Sequence, residues 1–399
     1  MYLLVYRRYK KSRMRIKNLL VSTVLLAGLF YSCNDQKSGT INGSQNASES
    51  KPAVPVTADP IYDEFARVIC GNYDGVPANV DANYYNSFTK TLNQKLTEIG
   101  KSRLTPITNW NAANFKRNSK SDTTSVFYPF SGGDFLHVNS LYPNANHYVM
   151  MAQESVGSIP DFKKMDKIQS KEYIEAVDFI LRDIYAKSYF ITMNMVKDTK
   201  QSPVNGMLPI LLWSVSKTGH TIMNVEEVQV DETGKKTFLP FKIGTSTAKA
   251  VRITFGNKVT GEPKTLTYYS CDISDTGIEK DKGLAGVLKN IPPSNCFVKS
   301  ASYLMHYATF STIRSTVLEK ALYLVQDDTG IPYIYFDKAK FKIELHGAYE
   351  KPIKDFSANL FQKDLADAYN STQFVAKLPF SLGYHWNSGN QNEMVAIKK

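Results

Sequence analysis

Cysteine and histidine are scarce in this 399-residue chain, at four and six. No CxxC pair or Cys/His cluster occurs, which argues against a structural zinc site. The six histidines, His137, His147, His220, His306, His346 and His385, include no HExxH and no two spaced by four residues. A motif-borne zinc hydrolase is therefore not expected, and no metal is implied. The GxSxG of a nucleophile elbow and the GxGxxG of a dinucleotide site are both missing. Beyond the N-terminus no apolar stretch reads as a membrane span, and no internal repeat or low-complexity tract interrupts the chain. No acidic residue precedes Cys33.

What stands before Cys33 has the three parts of an export signal: a basic stretch from Arg7 to Lys17, an apolar run from Leu19 to Phe30, and a polar exit ending at Ser32. The run has 12 residues, short of the roughly 20 that cross a bilayer core. A small residue directly before cysteine suits lipidation of the thiol followed by cleavage. The expectation is a lipoprotein signal peptide over 1–32, which Met14 alone would still begin in full, and a chain held to the membrane by lipid on Cys33. The alternative is an ordinary signal peptide with a free Cys33. The expected address is the cell envelope, on an outer membrane facing either the periplasm or the surface.

Cleavage changes the meaning of the charge. Seven of the 48 Lys+Arg residues lie in the signal, which leaves 41 basic against 37 acidic residues, a balance of +4. Nucleic acid is thus not an expected partner. Asn34 to Asp59 is rich in Gly, Ser, Asn, Gln and Pro and reads as a flexible tether, so 33–60 is assigned as lipidated linker and 61–399 as one large body. Three cysteines remain, Cys70, Cys271 and Cys296. In an oxidising compartment Cys271 with Cys296 is the favoured pair, against three buried thiols.

The periodicity predicts helices over Tyr85 to Ile99, Tyr173 to Met195 and Phe310 to Leu322. Segments rich in β-branched and aromatic residues predict strands at Ser125 to Phe130, Tyr148 to Ala152, Val225 to Val230, Ala250 to Phe255, Thr265 to Cys271, Leu322 to Gln326, Tyr333 to Phe336 and Phe341 to Leu345. Two hairpins are expected, Ala250 to Phe255 with Thr265 to Cys271, and Tyr333 to Phe336 with Phe341 to Leu345. The fold class that follows is α/β, a mixed and partly parallel sheet flanked by helices.

Ser125 to Glu154 has the outline of a Rossmann-like βαβ: a strand, the SGGD turn at Ser131 to Asp134, a short helix, and a strand ending near the acid Glu154. Asp134 at the helix start would repel a pyrophosphate, so a capped structural turn is the plainer reading and no cofactor is expected. YPFSGGD (Tyr128 to Asp134), KSASYLMH (Lys299 to His306) and QDDTGIPY (Gln326 to Tyr333) together resemble a family of uncharacterised bacterial exported proteins and lipoproteins. The resemblance runs from about Thr105 to the C-terminus and implies kinship without an activity. Gly133 stands where that pattern has Pro, and Ile334 where it has a basic residue.

Asp327 and Asp328 follow an apolar strand, where α/β sheets place ligand-binding loops; adjacent side chains diverge, so one of the two is expected to face SGGD. DDTG is also a good turn, which is the plainer reading. His306 is a candidate proton acceptor, and Ser131 with His306 and Asp327 would compose a hydrolase triad if folding assembled it. Tyr384, His385 and Trp386 suit either sugar stacking or capping of an apolar edge. The candidate ligand-binding residues are therefore Ser131, Asp134, Glu154, His306, Asp327 and Asp328. Two functions stay open: an envelope lipoprotein that binds a small molecule, glycan or protein at its strand-end loops, or a hydrolase using Ser131 or Asp327/Asp328 with His306.

Overall fold

The computed structural model describes residues 57–118, 125–200, 202–244, 246–257, 261–387 and 391–399. Its strands are β1 (Ser125–Pro129), β2 (His147–Ala152), β3 (His220–Val230), β4 (Lys236–Pro240), β5 (Ala250–Asn257), β6 (Pro263–Ser270), β7 (Ser294–Val298), β8 (Ala321–Gln326), β9 (Phe341–Gly347) and β10 (Asn392–Lys398). They form one sheet in the order β4-β3-β5-β6-β2-β1-β7-β8-β10-β9. The five central strands from β6 to β8 run parallel. Antiparallel strands extend both edges: β5, β3 and β4 beyond β6, and β10 then β9 beyond β8.

Strand alternation divides the core into two layers. Val126 and Tyr128 join one apolar cluster while Phe127 joins the other, and Tyr148 and Met150 part from Met151 in the same way. Helices Tyr62–Ile69, Ala82–Ile99, Phe135–Leu141, Lys167–Ile180 and Leu208–Lys217 pack into the first cluster; Asp275–Lys280, Lys282–Lys289 and Ser311–Lys320 pack into the second. With both faces covered, β1, β7 and β8 are buried along nearly their whole length, as their apolar sequences require.

The mixed α/β class is as the sequence implied, and so is the parallel pairing of β1 with β2 around helix Phe135–Leu141. Four expectations are corrected. Helix Tyr173 to Met195 is three helices, Lys167–Ile180, Arg182–Lys187 and Thr192–Lys200; the second stops at Ser188, which takes a left-handed φ of 67°. Tyr333 to Phe336 forms no strand. The rigid φ of Pro332 leads into a short 3-10 turn with Ile334 exposed, and β9 pairs with β10 from the chain's end instead. Cys70, Cys271 and Cys296 are all free thiols. Finally, order begins before Ile61: the Asp59 amide donates to the Ile222 carbonyl of β3, and its carboxylate accepts from Ile61 and Tyr62. Cys33 and the signal lie outside the described residues.

Candidate functional site

Sheet order decides where a crevice can open. From β1 the chain passes through a helix to β2 on one side, whereas β7, on the other side of β1, leads on to β8. Loops leaving the carboxyl ends of β1 and β7 therefore diverge, the arrangement that opens a binding crevice in α/β sheets. A cavity of about 400 Å³ lies at this point, lined by residues that follow β1, β2, β6 and β7.

After β1, Phe130 adopts a left-handed φ of 59° and aims the chain across the strand ends. Ser131 then ties back to β2: its amide donates to the Met151 carbonyl at 3.0 Å, and its hydroxyl donates to the carbonyls of Gly132 and Met151. Gly132, at φ 53°, has Phe190 packed so close that a Cβ would sit 3.3 Å from the ring. Asp134 caps helix Phe135–Leu141, accepting from the His137 amide at 3.3 Å and meeting the His137 ring Nδ1 at 2.6 Å. Its other oxygen accepts from Tyr128 Oη and from the ammonium of Lys299, which also donates to the Ser188 carbonyl.

Lys299, Asp134 and His137 are all buried. Burial pushes the Asp134 acid up, but His137 and Lys299 outweigh it and hold the group below its usual range. Burial drives His137 down to about 4, so near neutral pH the ring is uncharged and Lys299 is the counter-charge. Burial also lowers Lys299, against the pull of Asp134. Glu154, just beyond β2, is buried as well, and burial raises its acid.

After β7, Ser300, Ser302 and Tyr303 take left-handed φ values of 53°, 52° and 57°. With Phe130 and Ser188, they are the five non-glycine residues in that region among those described, and all five stand at or beside the cavity. Conformations of this kind cost about 1–3 kcal/mol each and persist where surrounding contacts enforce them. QDDTG supplies those contacts. Asp327 accepts from the Ser300 amide at 2.9 Å and from the Thr329 amide at 3.0 Å, while Thr329 Oγ1 accepts from the Ala301 amide at 2.8 Å. Asp328 turns the other way, to Tyr303 Oη, His385 Nε2 at 2.8 Å and Asn392 Nδ2 at 3.1 Å. Burial, then the neighbouring Asp328, pushes Asp327 up to about 6.

Of the six candidate residues, Ser131, Asp134 and Glu154 line the cavity; Asp327 stands behind its wall, reaching it through Ser300. Asp328 and His306 do not line it. The His306 ring packs edge-on against Tyr303 at 5.1 Å, and burial lowers its pKa. Ser131 hydrogen-bonds to main-chain carbonyls rather than to His306, so the triad is not assembled. Tyr384 packs against Tyr189 and hydrogen-bonds Ser302, whereas His385 is buried on Asp328. Among the described residues no group of three His, Cys, Asp or Glu could hold a metal ion.

Sequence reasoning missed Lys299, Tyr128, His137 and Thr192 as parts of this site, and had Tyr384 only as a stacking or edge-capping aromatic with no place in it. Lys299 opens KSASYLMH, but without β7 recognised ahead of it nothing marked it as a strand-end residue. No family model, curated protein or solved structure matches the chain.

Proposed function

We propose that this chain is a bacterial envelope lipoprotein, anchored through Cys33, whose folded body binds a small molecule in the cavity between the ends of β1 and β7. The observation that carries the binding reading is the coincidence of three features at one place. The cavity lies at the switch in strand order, its size falls within the roughly 300–1,000 Å³ of small-molecule sites, and strained backbone is concentrated around it. The wall suits binding more than chemistry. It is aromatic at Phe130, Tyr189, Phe190, Phe310 and Tyr384, with a few fixed polar groups, and its serine at 131 donates to main-chain carbonyls rather than to a base.

Thr192 is exposed yet lines the cavity, so it stands at the rim. Thr192→Trp should plug the space while melting within about 2 °C of the parent, as surface changes do. In a thermal-shift screen, a ligand at a hundred times its Kd stabilises the parent by about 2.7 kcal/mol; the plugged variant should lose that shift. Ligands that stabilise both proteins equally would sink the reading.

The anchor is supported by the basic, apolar and polar series that ends at Cys33. Cys33→Ser should leave the protein uncleaved or released from membranes, by fractionation and intact mass. Unchanged mass and partitioning would refute the lipid anchor.

A further inference from the structure

The cavity wall is electrically uneven. Lys299 and Asp134 neutralise one another, but among the described residues Glu154 has no such ion pair. Glu154 is 3% exposed, and among the described residues neither carboxylate oxygen has a hydrogen-bond partner of normal geometry. Thr192 and the residue's own amide lie near enough to favour the charged form, yet burial outweighs them. A buried polar group left in this state is destabilising unless something meets it, and such exceptions point to a missing partner. Glu154 lines the cavity, with its carboxylate oxygens buried in the wall.

We propose that the cavity selects a small organic ammonium compound, its cationic nitrogen received by Glu154 and its apolar body packed among Phe130, Phe190 and Tyr384. The proposal rests on the cavity being a ligand site. An ammonium group supplies the charge that Glu154 lacks, and aromatic faces attract cations within about 6 Å of the ring centre. An anion would meet Glu154 unneutralised, since Lys299 is already paired with Asp134. A neutral hydroxyl could bond to Glu154, but charge-assisted hydrogen bonds are about twice as strong as neutral ones.

The test uses the detergent-solubilised mature chain, titrated calorimetrically with 2-phenylethylammonium, neutral 2-phenylethanol and anionic 3-phenylpropionate. Cys271 supplies a second readout. It lines the cavity and is partly exposed, whereas Cys70 and Cys296 are buried. Burial pushes its thiol up to about 12, so maleimide labelling is slow enough for its rate to be followed by peptide mass. The ammonium should bind about tenfold tighter than the alcohol, with the anion weaker still, and should slow Cys271 labelling. Glu154→Gln should cost the ammonium about tenfold while leaving the alcohol unchanged. Gln fills a similar volume, so this variant should melt at or above the parent, separating lost binding from lost fold. Unchanged ammonium affinity in Glu154→Gln, or an anion that binds equally well, overturns the proposal. If only the alcohol or anion binds and protects Cys271, the ammonium inference fails and the cavity reading stands. If none of the three binds, the ammonium inference fails, and the Thr192→Trp screen decides the cavity reading by itself.

Discussion

Lys299→Met is expected to lower the free energy of unfolding by about 3–5 kcal/mol, the usual cost of breaking a buried ion pair from one side. Lys299 is 1% exposed and Asp134 2%, so neither charge can turn to water when the other is removed. The loss should be larger at high pH than at low. Lys299 is among the charges that hold His137 down near 4; without it, His137 can take up a proton and replace the missing cation. A raised His137 pKa in the variant means that this rescue is present at acid pH and lost as pH rises through the new value. Asp134→Asn combined with Lys299→Met should recover much of the loss, because no buried charge is then left alone. Urea unfolding of the parent, both single variants and the double variant closes the cycle. A loss under about 1 kcal/mol, typical of surface pairs, would mean that the contact is not a buried ion pair.

Glu393→Gln should change the pH dependence of stability in the opposite direction from an ordinary salt-bridge mutation. Glu393 lies on β10, 2% exposed, with Oε2 unpartnered among the described residues. Burial, then Asp327, raises its pKa well above 4.5, against a smaller opposing pull from Lys299. An acid whose folded pKa is raised binds more protons folded than unfolded. Its contribution is therefore intact below about 4.5 and is lost as pH climbs from there toward the folded pKa. The amide has no such proton to lose. Relative to the parent, Glu393→Gln should gain about 1.4 kcal/mol for each pH unit over that window, becoming the more stable protein by pH 8. Asp327, raised to about 6, acts in the same direction in both proteins, and His137 and His220, lowered to about 4, act against it in both. The difference isolates Glu393. Parallel pH profiles from urea melts at pH 4.5 and 8 would show that the acid is not protonated in the folded state.

The amino-acid sequence alone determined those features whose causes are local. Valine, isoleucine and aromatic residues specified β1, β2, β5, β6 and β8 to within a few residues, and apolar spacing specified helices Ala82–Ile99 and Ser311–Lys320. Asp134 as a helix cap, DDTG as a turn and the βαβ outline were legible because each involves groups a few residues apart. Only tertiary structure decided the remainder. β7 is five residues, SNCFV, too short to announce itself, yet its insertion between β1 and β8 sets the order of the sheet. That order brings Lys299 to Asp134 across 165 positions and His385 to Asp328 across 57. Ser188 ends its helix in a left-handed conformation where its carbonyl meets Lys299 and its hydroxyl meets Gly383. Tyr333 to Phe336 loses its expected strand because Pro332 leads it into a 3-10 turn, while β9 finds its partner in β10 near the far end of the body. Local propensity is weaker than the gain from burying and pairing whole strands. It therefore cannot foresee which distant charges the sheet will bury together. The cavity is a product of that distant pairing, since its polar groups come from separate loops that only the order of the strands makes neighbours.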